Sequence, residues 1–212
     1  MNLINYEFTI KKLIVGQLET NCYIVIDKNK AIIIDPGDCA EAIMDIVKKE
    51  KIELAYILNT HGHYDHTGAN YIKTLIKNKV LLGIHQKDLV YLKDSFLNLS
   101  SVFGSKTIYT PPDFFLKNNQ TIELTEKISL KVIHTPGHTP GSVCFKLKNY
   151  LFSGDLLFRN GVGRTDLPGG NEHLLIKSLK KICQFQQEMI ILPGHGPETT
   201  LGYELKTNPY IF

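Results

Sequence analysis

The chain has 212 residues, of which 43% are hydrophobic, and its formal net charge is +3 at pH 7. A chain of this length can bury one sizeable core, so we expect a single domain over residues 1–212. The mild charge comes mainly from lysines spread along the chain, which argues against a nucleic-acid-binding protein.

The first seven residues contain neither the basic stretch nor the apolar run of a signal peptide, and no apolar stretch is long enough to span a bilayer. We therefore expect a cytoplasmic protein that makes no membrane contact. Cysteines occur at four scattered positions without a C-x-x-C pair: Cys22, Cys39, Cys144 and Cys183. This spacing argues against a disulfide framework and against a thiolate zinc site.

The first half of the chain alternates predicted strands with predicted helices. Runs of β-branched and apolar residues predict strands at 8–10, 13–15, 21–26, 31–34, 54–58 and 80–84. The runs at 21–26 and 31–34 flank a short polar turn and predict a hairpin. Apolar residues with helical period follow the strand stop Asp35-Pro36-Gly37 and predict a helix up to Lys51.

Three histidines and an aspartate stand within six positions just after the strand at 54–58: His61, His63, Asp65 and His66. Residues two apart in an extended segment share a side, so the first three can face one cavity, and His66 joins them as the chain turns into a helix. Imidazole and carboxylate are ligands of zinc and of non-haem iron. One metal takes about four ligands, so this density predicts two metals or further ligands downstream.

The middle of the chain, residues 86–125, has a weaker pattern. Residues 88–93 are predicted to be helical, and proline and asparagine clusters after them predict turns. A cover over the site is one role that we consider for this segment.

Three further strands each end in a residue that suits a metal. The strand at 129–133 leads to His138 in a proline- and glycine-rich turn, the strand at 150–152 leads to Asp155, and the strand at 189–192 leads to His195. His85 and His134 are interpreted as strand-end residues. His173 follows Asn171, which is the predicted N-cap of a helix, and is expected at the surface.

The chain has two arginines, Arg159 and Arg164, and both lie in the loop 156–166. Arginine binds carboxylates with two parallel hydrogen bonds, so we hypothesise that Arg164 binds an anionic substrate. An ion pair between Arg164 and Asp166 is an equally good explanation, and both can hold together.

The seven donors resemble the pattern of the metallo-β-lactamase superfamily, whose H-x-H-x-D-H motif matches residues 61–66. Its later histidine, bridging aspartate and last histidine match His138, Asp155 and His195. The resemblance implies an αββα sandwich, in which two mixed β-sheets are flanked by helices. It also implies one metal on His61, His63 and His138, a second on Asp65, His66 and His195, and a bridge through Asp155.

Within that superfamily the segments 18–23, 134–141 and 163–166 are similar to the glyoxalase II (hydroxyacylglutathione hydrolase) branch, especially its short bacterial members. That resemblance implies hydrolysis of a glutathione thioester to a hydroxy acid and glutathione. Two features differ from larger members. Their C-terminal glutathione-binding extension is not found before Phe212, and the arginine loop replaces their lysine- and tyrosine-bearing loop.

The donor set suits thioester hydrolysis. Two divalent metals flanking one water lower its pKa from 15.7 toward neutrality, and a metal also stabilises the oxyanion that forms on the carbonyl. Asp65 can orient the attacking hydroxide, and Asp155 can hold both metals. Zinc is the expected metal, with iron and manganese as alternatives. The expected partner is a small anionic thioester, such as S-D-lactoylglutathione.

Two other functions are considered. In a persulfide dioxygenase, one iron would be bound by His61, His138 and Asp155 with open positions for oxygen and thiol. A non-catalytic metal-binding scaffold is the other. Structural zinc sites are normally closed, so an open two-metal site favours catalysis.

Overall fold

The computed structural model describes residues 2–5 and 8–211, and its first sheet follows chain order. The strands of this sheet are β1 (Asn2–Asn5), β2 (Phe8–Val15), β3 (Thr20–Asp27), β4 (Lys30–Ile34), β5 (Glu53–Leu58), β6 (Leu81–His85) and β7 (Phe114–Leu116). Neighbours are antiparallel from β1 to β4 and parallel from β4 to β7. The predicted hairpin is confirmed as β3 and β4, and the sheet is mixed.

A second mixed sheet contains the later strands. In chain order they are β8 (Thr121–Glu123), β9 (Ser129–His134), β10 (Val143–Leu147), β11 (Tyr150–Gly154), β14 (Ile190–Pro193) and β15 (Thr199–Thr200). The strands β11 and β14 pair in parallel, and the other neighbours pair antiparallel. A small hairpin of β12 (Leu157–Phe158) and β13 (Gly161–Val162) follows β11.

The central core lies between the two sheets because alternate strand residues point inward. On β4, Ile32 and Ile34 face this core, where they join Phe145 and Phe152 of the second sheet. Ile33 belongs to another buried cluster, on the outer face. The strand is therefore buried on both faces, which explains its continuous apolar sequence.

Helices cover the outer faces of both sheets. Helix α1 (Ala40–Lys49) packs Ile43 against the first sheet, and α4 (Glu172–Ile182) packs Leu175 and Leu179 against the second. Asn171 caps α4 as predicted, since its side chain accepts a hydrogen bond from the Leu174 N–H. The predicted αββα sandwich is confirmed.

The short helices α2 (Tyr64–Thr67) and α3 (Ile72–Leu75) replace the single helix expected after the histidine motif. The chain bends between them because Gly68 lies against the backbone of Gly37, where a Cβ would overlap the Gly37 carbonyl oxygen. The last helix is α5 (Leu201–Thr207). None of the helices in the described ranges is long and apolar enough to cross a membrane.

The helix predicted at 88–93 is wrong. The structure has one 3-10 turn, Gln86–Asp88, followed by irregular turns. Tyr91 and Leu92 are buried, and the Asp88 side chain bonds to other loops, so tertiary contacts override the local pattern. The strands predicted at 8–10 and 13–15 form the single strand β2.

Candidate metal centre

The seven predicted ligands meet because four strands deliver them to one region. β5 leads to the motif that contains His61 to His66 in the first sheet. In the second sheet β9, β11 and β14 run in the same direction, since β9 and β11 are both antiparallel to β10 and β14 is parallel to β11. Their carboxyl ends share one edge of the sheet, and His138, Asp155 and His195 lie in the loops beyond it.

The first group of donors contains His61, His63 and His138, which are all buried. The His63 Nδ1 atom lies 3.0 Å from His61 Nε2 and 2.9 Å from His138 Nε2. Ring nitrogens that face each other at this distance need a cation or a proton between them, because two lone pairs repel. The group therefore has the donor chemistry of a metal site.

The second group contains Asp65, His66 and His195. The Asp65 Oδ2 atom lies 3.4 Å from His66 Nε2 and 3.2 Å from His195 Nε2, and these two nitrogens are 3.3 Å apart. The Thr20 hydroxyl donates to Asp65 Oδ2 over 2.9 Å and fixes the carboxylate.

Asp155 lies between the two groups. Its Oδ2 is 3.5 Å from His138 Nε2 in the first group and 3.6 Å from His195 Nε2 in the second, and its Oδ1 is 3.4 Å from His66 Nε2. Among the described residues, the buried Oδ1 atom has no hydrogen-bond partner. A buried carboxylate oxygen without a donor is costly, so this atom suits a cation.

The histidines are oriented by hydrogen bonds from their other ring nitrogens. His138 Nδ1 donates to the Arg164 carbonyl oxygen over 2.8 Å, and His195 Nδ1 donates to the Leu18 carbonyl oxygen over 2.9 Å. Because these nitrogens carry the proton, each Nε2 keeps a free lone pair. Metal-binding histidines typically have such partners.

Asp35 orients two further histidines. Its buried carboxylate accepts from His66 Nδ1 over 3.0 Å and from the Thr60 backbone N–H and hydroxyl, both over 2.7 Å. The Thr60 hydroxyl oxygen lies 3.1 Å from His61 Nδ1 and can accept a hydrogen bond from it. The sequence predicts only a strand stop at Asp35, although the position of this residue at the end of β4, next to β5, is a signal of its role at the site.

The two groups differ in charge. Burial opposes protonation of His66, but the carboxylates of Asp65, Asp155 and Asp35 outweigh it and raise the His66 pKa to about 10. Burial lowers the pKa of His61 and of His63 well below their usual range, and neighbouring imidazoles lower it further. The second group is therefore surrounded by carboxylates, whose negative charge a divalent ion would balance.

Asp88 joins the loops that contain the first group. The carboxylate is fully buried and accepts from the Gly62 N–H, the Thr139 hydroxyl and the Gly141 N–H over 3.0, 2.6 and 2.6 Å. Burial raises the pKa of Asp88 to about 6, against the effect of these donors. The sequence does not predict this role of Asp88, because its hydrogen-bond partners lie in distant segments of the chain.

Both arginines are engaged within the chain. Arg164 forms two hydrogen bonds of 2.7 Å with Asp166, which is the ion pair considered from the sequence, and its side chain is 63% exposed. The Arg159 guanidinium lies 5.2 Å from the centre of the Tyr203 ring. Arg164 lines the cavity beside the centre, so its predicted role in substrate binding remains a hypothesis.

The remaining histidines lie outside the donor groups. His85 and His134 stack at the strand ends with ring centres 4.1 Å apart, and His173 is exposed on α4. Their predicted roles in packing and at the surface agree with these positions.

A cavity of about 760 Å³ opens beside the donor groups, and five of the seven donors line it. Its other lining residues are mostly apolar, and apart from Leu18 they come from two segments, 96–103 and 158–168. The first segment forms one wall of the cavity, so part of residues 86–125 lies beside the site. A cover over the site by this segment stays a prediction. Later within residues 86–125, β7 belongs to the first sheet and β8 belongs to the second.

Residues 15–195 match the model of the metallo-beta-lactamase superfamily, and the chain belongs to this superfamily. A hydroxyacylglutathione hydrolase of Haemophilus influenzae is 34% identical over 203 residues, which are 93% of this chain and 95% of that protein. A B3 metallo-beta-lactamase structure has a TM-score of 0.88 and 37% identity, covering 95% of this chain and 99% of that one. A protein termed TTHA1623, solved in a di-iron-bound form, has a TM-score of 0.86 and 34% identity, covering 95% of this chain and 100% of that one.

The chain is therefore a member of a family of metal-dependent hydrolases. The metallo-beta-lactamase fold binds divalent metal ions, and the two donor groups fit such ions.

Proposed function

We propose that the protein is a two-metal hydrolase that cleaves a thioester such as S-D-lactoylglutathione to a hydroxy acid and glutathione. The observation that supports it most strongly is the pair of donor groups joined by Asp155 beside an open cavity. The relative in Haemophilus influenzae, a hydroxyacylglutathione hydrolase by name, supports the choice of thioester.

The donor groups assign the metal ligands in this proposal. His61, His63 and His138 would hold one ion, Asp65, His66 and His195 would hold the other, and Asp155 would contact both. Zinc is the proposed metal, and iron and manganese accept the same donors. When bound, two such ions activate a water molecule and polarise the carbonyl of the substrate.

Asp65 has the properties needed to orient the attacking water. It lines the cavity, and although burial disfavours its charge, His66 and His195 hold the pKa of its carboxyl well below the usual range. It is therefore ionised and can accept a hydrogen bond from water. In the reaction the water would lose a proton, its oxygen would bond to the acyl carbon, and the C–S bond would break. The leaving thiolate would take up a proton from solution, so the products are the hydroxy acid and the free thiol. A thiolate needs no dedicated acid.

Anaerobic hydrolysis of S-D-lactoylglutathione by zinc-loaded protein tests the proposal. Asp155→Ala should lower kcat/KM by at least roughly 100-fold, because outer hydrogen-bond partners of metal ligands alone are typically worth 10- to 100-fold. Asp45→Ala is the matched control, since Asp45 is exposed on α1 and distant in sequence from every donor.

Assays with other substrates distinguish the proposed function from the alternatives. Oxygen uptake on glutathione persulfide by iron-loaded protein, without anaerobic thioester cleavage, would indicate a persulfide dioxygenase. Hydrolysis of a β-lactam in preference to every thioester would replace the proposed substrate class and keep the metal chemistry.

A further inference from the structure

The apolar side of the cavity has a composition that the chemistry of the metal centre does not require. Phe96, Leu99, Val102 and Phe103 line it from one segment, and Phe158 lies in the other. Phe96 and Val102 are 63% and 64% exposed, and Phe103 is 41% exposed. Large apolar side chains clustered in a cavity and left open to water mark a surface that a ligand covers.

This apolar segment is fixed to the metal-binding motif at its base. The Tyr64 N–H donates to the Asn98 carbonyl oxygen over 3.0 Å, and the buried Asn98 side chain donates to the Tyr91 carbonyl oxygen over 2.8 Å. The centres of the Phe103 and Tyr64 rings are 5.6 Å apart. Tyr64 is adjacent to the ligand Asp65, so the apolar surface has a defined position relative to the reacting carbonyl.

Charge limits which part of a thioester this surface can bind. Among the described residues, Arg164 is the one lysine or arginine that lines the cavity, and it is paired with Asp166 and largely exposed. The carboxylates of a glutathione carrier would lose hydration against the apolar surface without gaining partners there. The carrier therefore suits the exposed side near Arg164, and the apolar surface suits the acyl group.

We infer that the preferred substrate is a thioester with an apolar acyl chain longer than lactoyl, bound against Phe96, Leu99, Val102 and Phe103. This inference rests on the proposed function and specifies its substrate. Each methylene buried against the surface should improve binding by roughly 4-fold, which is the affinity equivalent of burying one CH₂ group.

Two measurements on zinc-loaded protein test the inference. The first compares kcat/KM for S-acetyl-, S-butyryl-, S-hexanoyl- and S-D-lactoylglutathione. The second measures binding of acetate, butyrate and hexanoate by calorimetry, which requires no turnover. Both should rise with chain length, because four added methylenes at roughly 4-fold each give up to about 250-fold from two to six carbons. A gain below roughly 10-fold would count against the inference.

Variants locate the effect. Phe96→Ser and Val102→Ser should each reduce the gain in kcat/KM and in binding from two to six carbons by several-fold. Ile108→Ser is the matched control, because Ile108 is 59% exposed in the same part of the chain and does not line the cavity. This control should behave as wild type.

The two measurements distinguish failure of the inference from failure of the proposed function. Cleavage of lactoylglutathione with no gain from longer chains in either measurement would overturn the inference and leave the function intact. Hexanoate binding that depends on Phe96, with no cleavage of any thioester, would support the apolar acyl site and reject the thioesterase.

Discussion

Arg164 illustrates how one residue can serve two roles through different atoms. Its carbonyl oxygen accepts the hydrogen bond from His138 Nδ1, whereas its guanidinium pairs with Asp166 at the edge of the cavity. The backbone contact survives substitution of the side chain. Mutations here therefore separate substrate binding from metal binding.

If the guanidinium binds a substrate carboxylate, Arg164→Ala should raise KM for a glutathione thioester by roughly two- to fivefold, the range of an exposed ion pair. The value of kcat and the metal content should not change, because the contact to His138 comes from the backbone. Asp166→Asn should lower KM by releasing the guanidinium. An unchanged KM in both variants would reject the role of Arg164 in binding.

The raised pKa of Asp88 makes the stability of the folded protein depend on pH. Its pKa is raised to about 6, so between pH 4 and pH 6 the unfolded chain loses this proton while the folded protein keeps it. The folded state then binds more protons, and its stability falls as the pH rises. The size of this effect is roughly 3 kcal/mol, from 1.36 kcal/mol per pKa unit.

Urea unfolding of the metal-free protein and of Asp88→Asn at several pH values tests this prediction. The variant has no titrating group at this position, so the stability of wild type relative to Asp88→Asn should fall between pH 4 and pH 6.5. A stability difference that is constant, or that grows with pH, would show that the three hydrogen-bond donors lower the pKa of Asp88 by more than burial raises it.

At the scale of elements, the site depends on the close approach of two strand ends. β11 and β14 run side by side, and Asp155 follows the first while Gly194 follows the second. A Cβ on Gly194 would overlap the Asp155 Oδ1 atom and would lie 2.8 Å from His66 Cε1. Only glycine leaves room for the carboxylate between the two donor groups.

Gly194→Ala should therefore displace Asp155 and weaken metal binding by roughly 10-fold or more, the cost of disturbing a ligand's support. Gly161→Ala is the matched control, since the nearest atom to its Cβ would be 3.9 Å away. Zinc titration of each metal-free variant with a chromophoric chelator measures the affinity. Equal affinity in both variants would mean that the strand ends tolerate the methyl group.

The elements also show what sequence could predict. Runs of β-branched and apolar residues predicted the strands that lead to the donors. The seven donors could be found because each follows one of these predicted strands. The segment 86–110 could not be predicted, because its conformation depends on contacts such as Asp88 with Gly62 and Asn98 with Tyr64. Its apolar surface was missed for the same reason.

At the scale of the whole molecule, the centre joins the two sheets of the sandwich. His61, His63, Asp65 and His66 follow a strand of the first sheet, and the other three donors follow strands of the second. The resemblance of the motif to a known family predicted this architecture, and the layers confirm it. Substrate choice depends instead on irregular segments at the mouth of the cavity, where sequence patterns are least informative.

If two metals held by these groups hydrolyse a thioester, activity must depend on the amount of metal bound. Zinc is added in increasing amounts to the metal-free protein under anaerobic conditions while hydrolysis of S-hexanoylglutathione and S-D-lactoylglutathione is followed. Activity should rise to a plateau at about two zinc ions per chain, one for each donor group. A plateau at one ion, or no hydrolysis of either thioester at any zinc concentration, would contradict it.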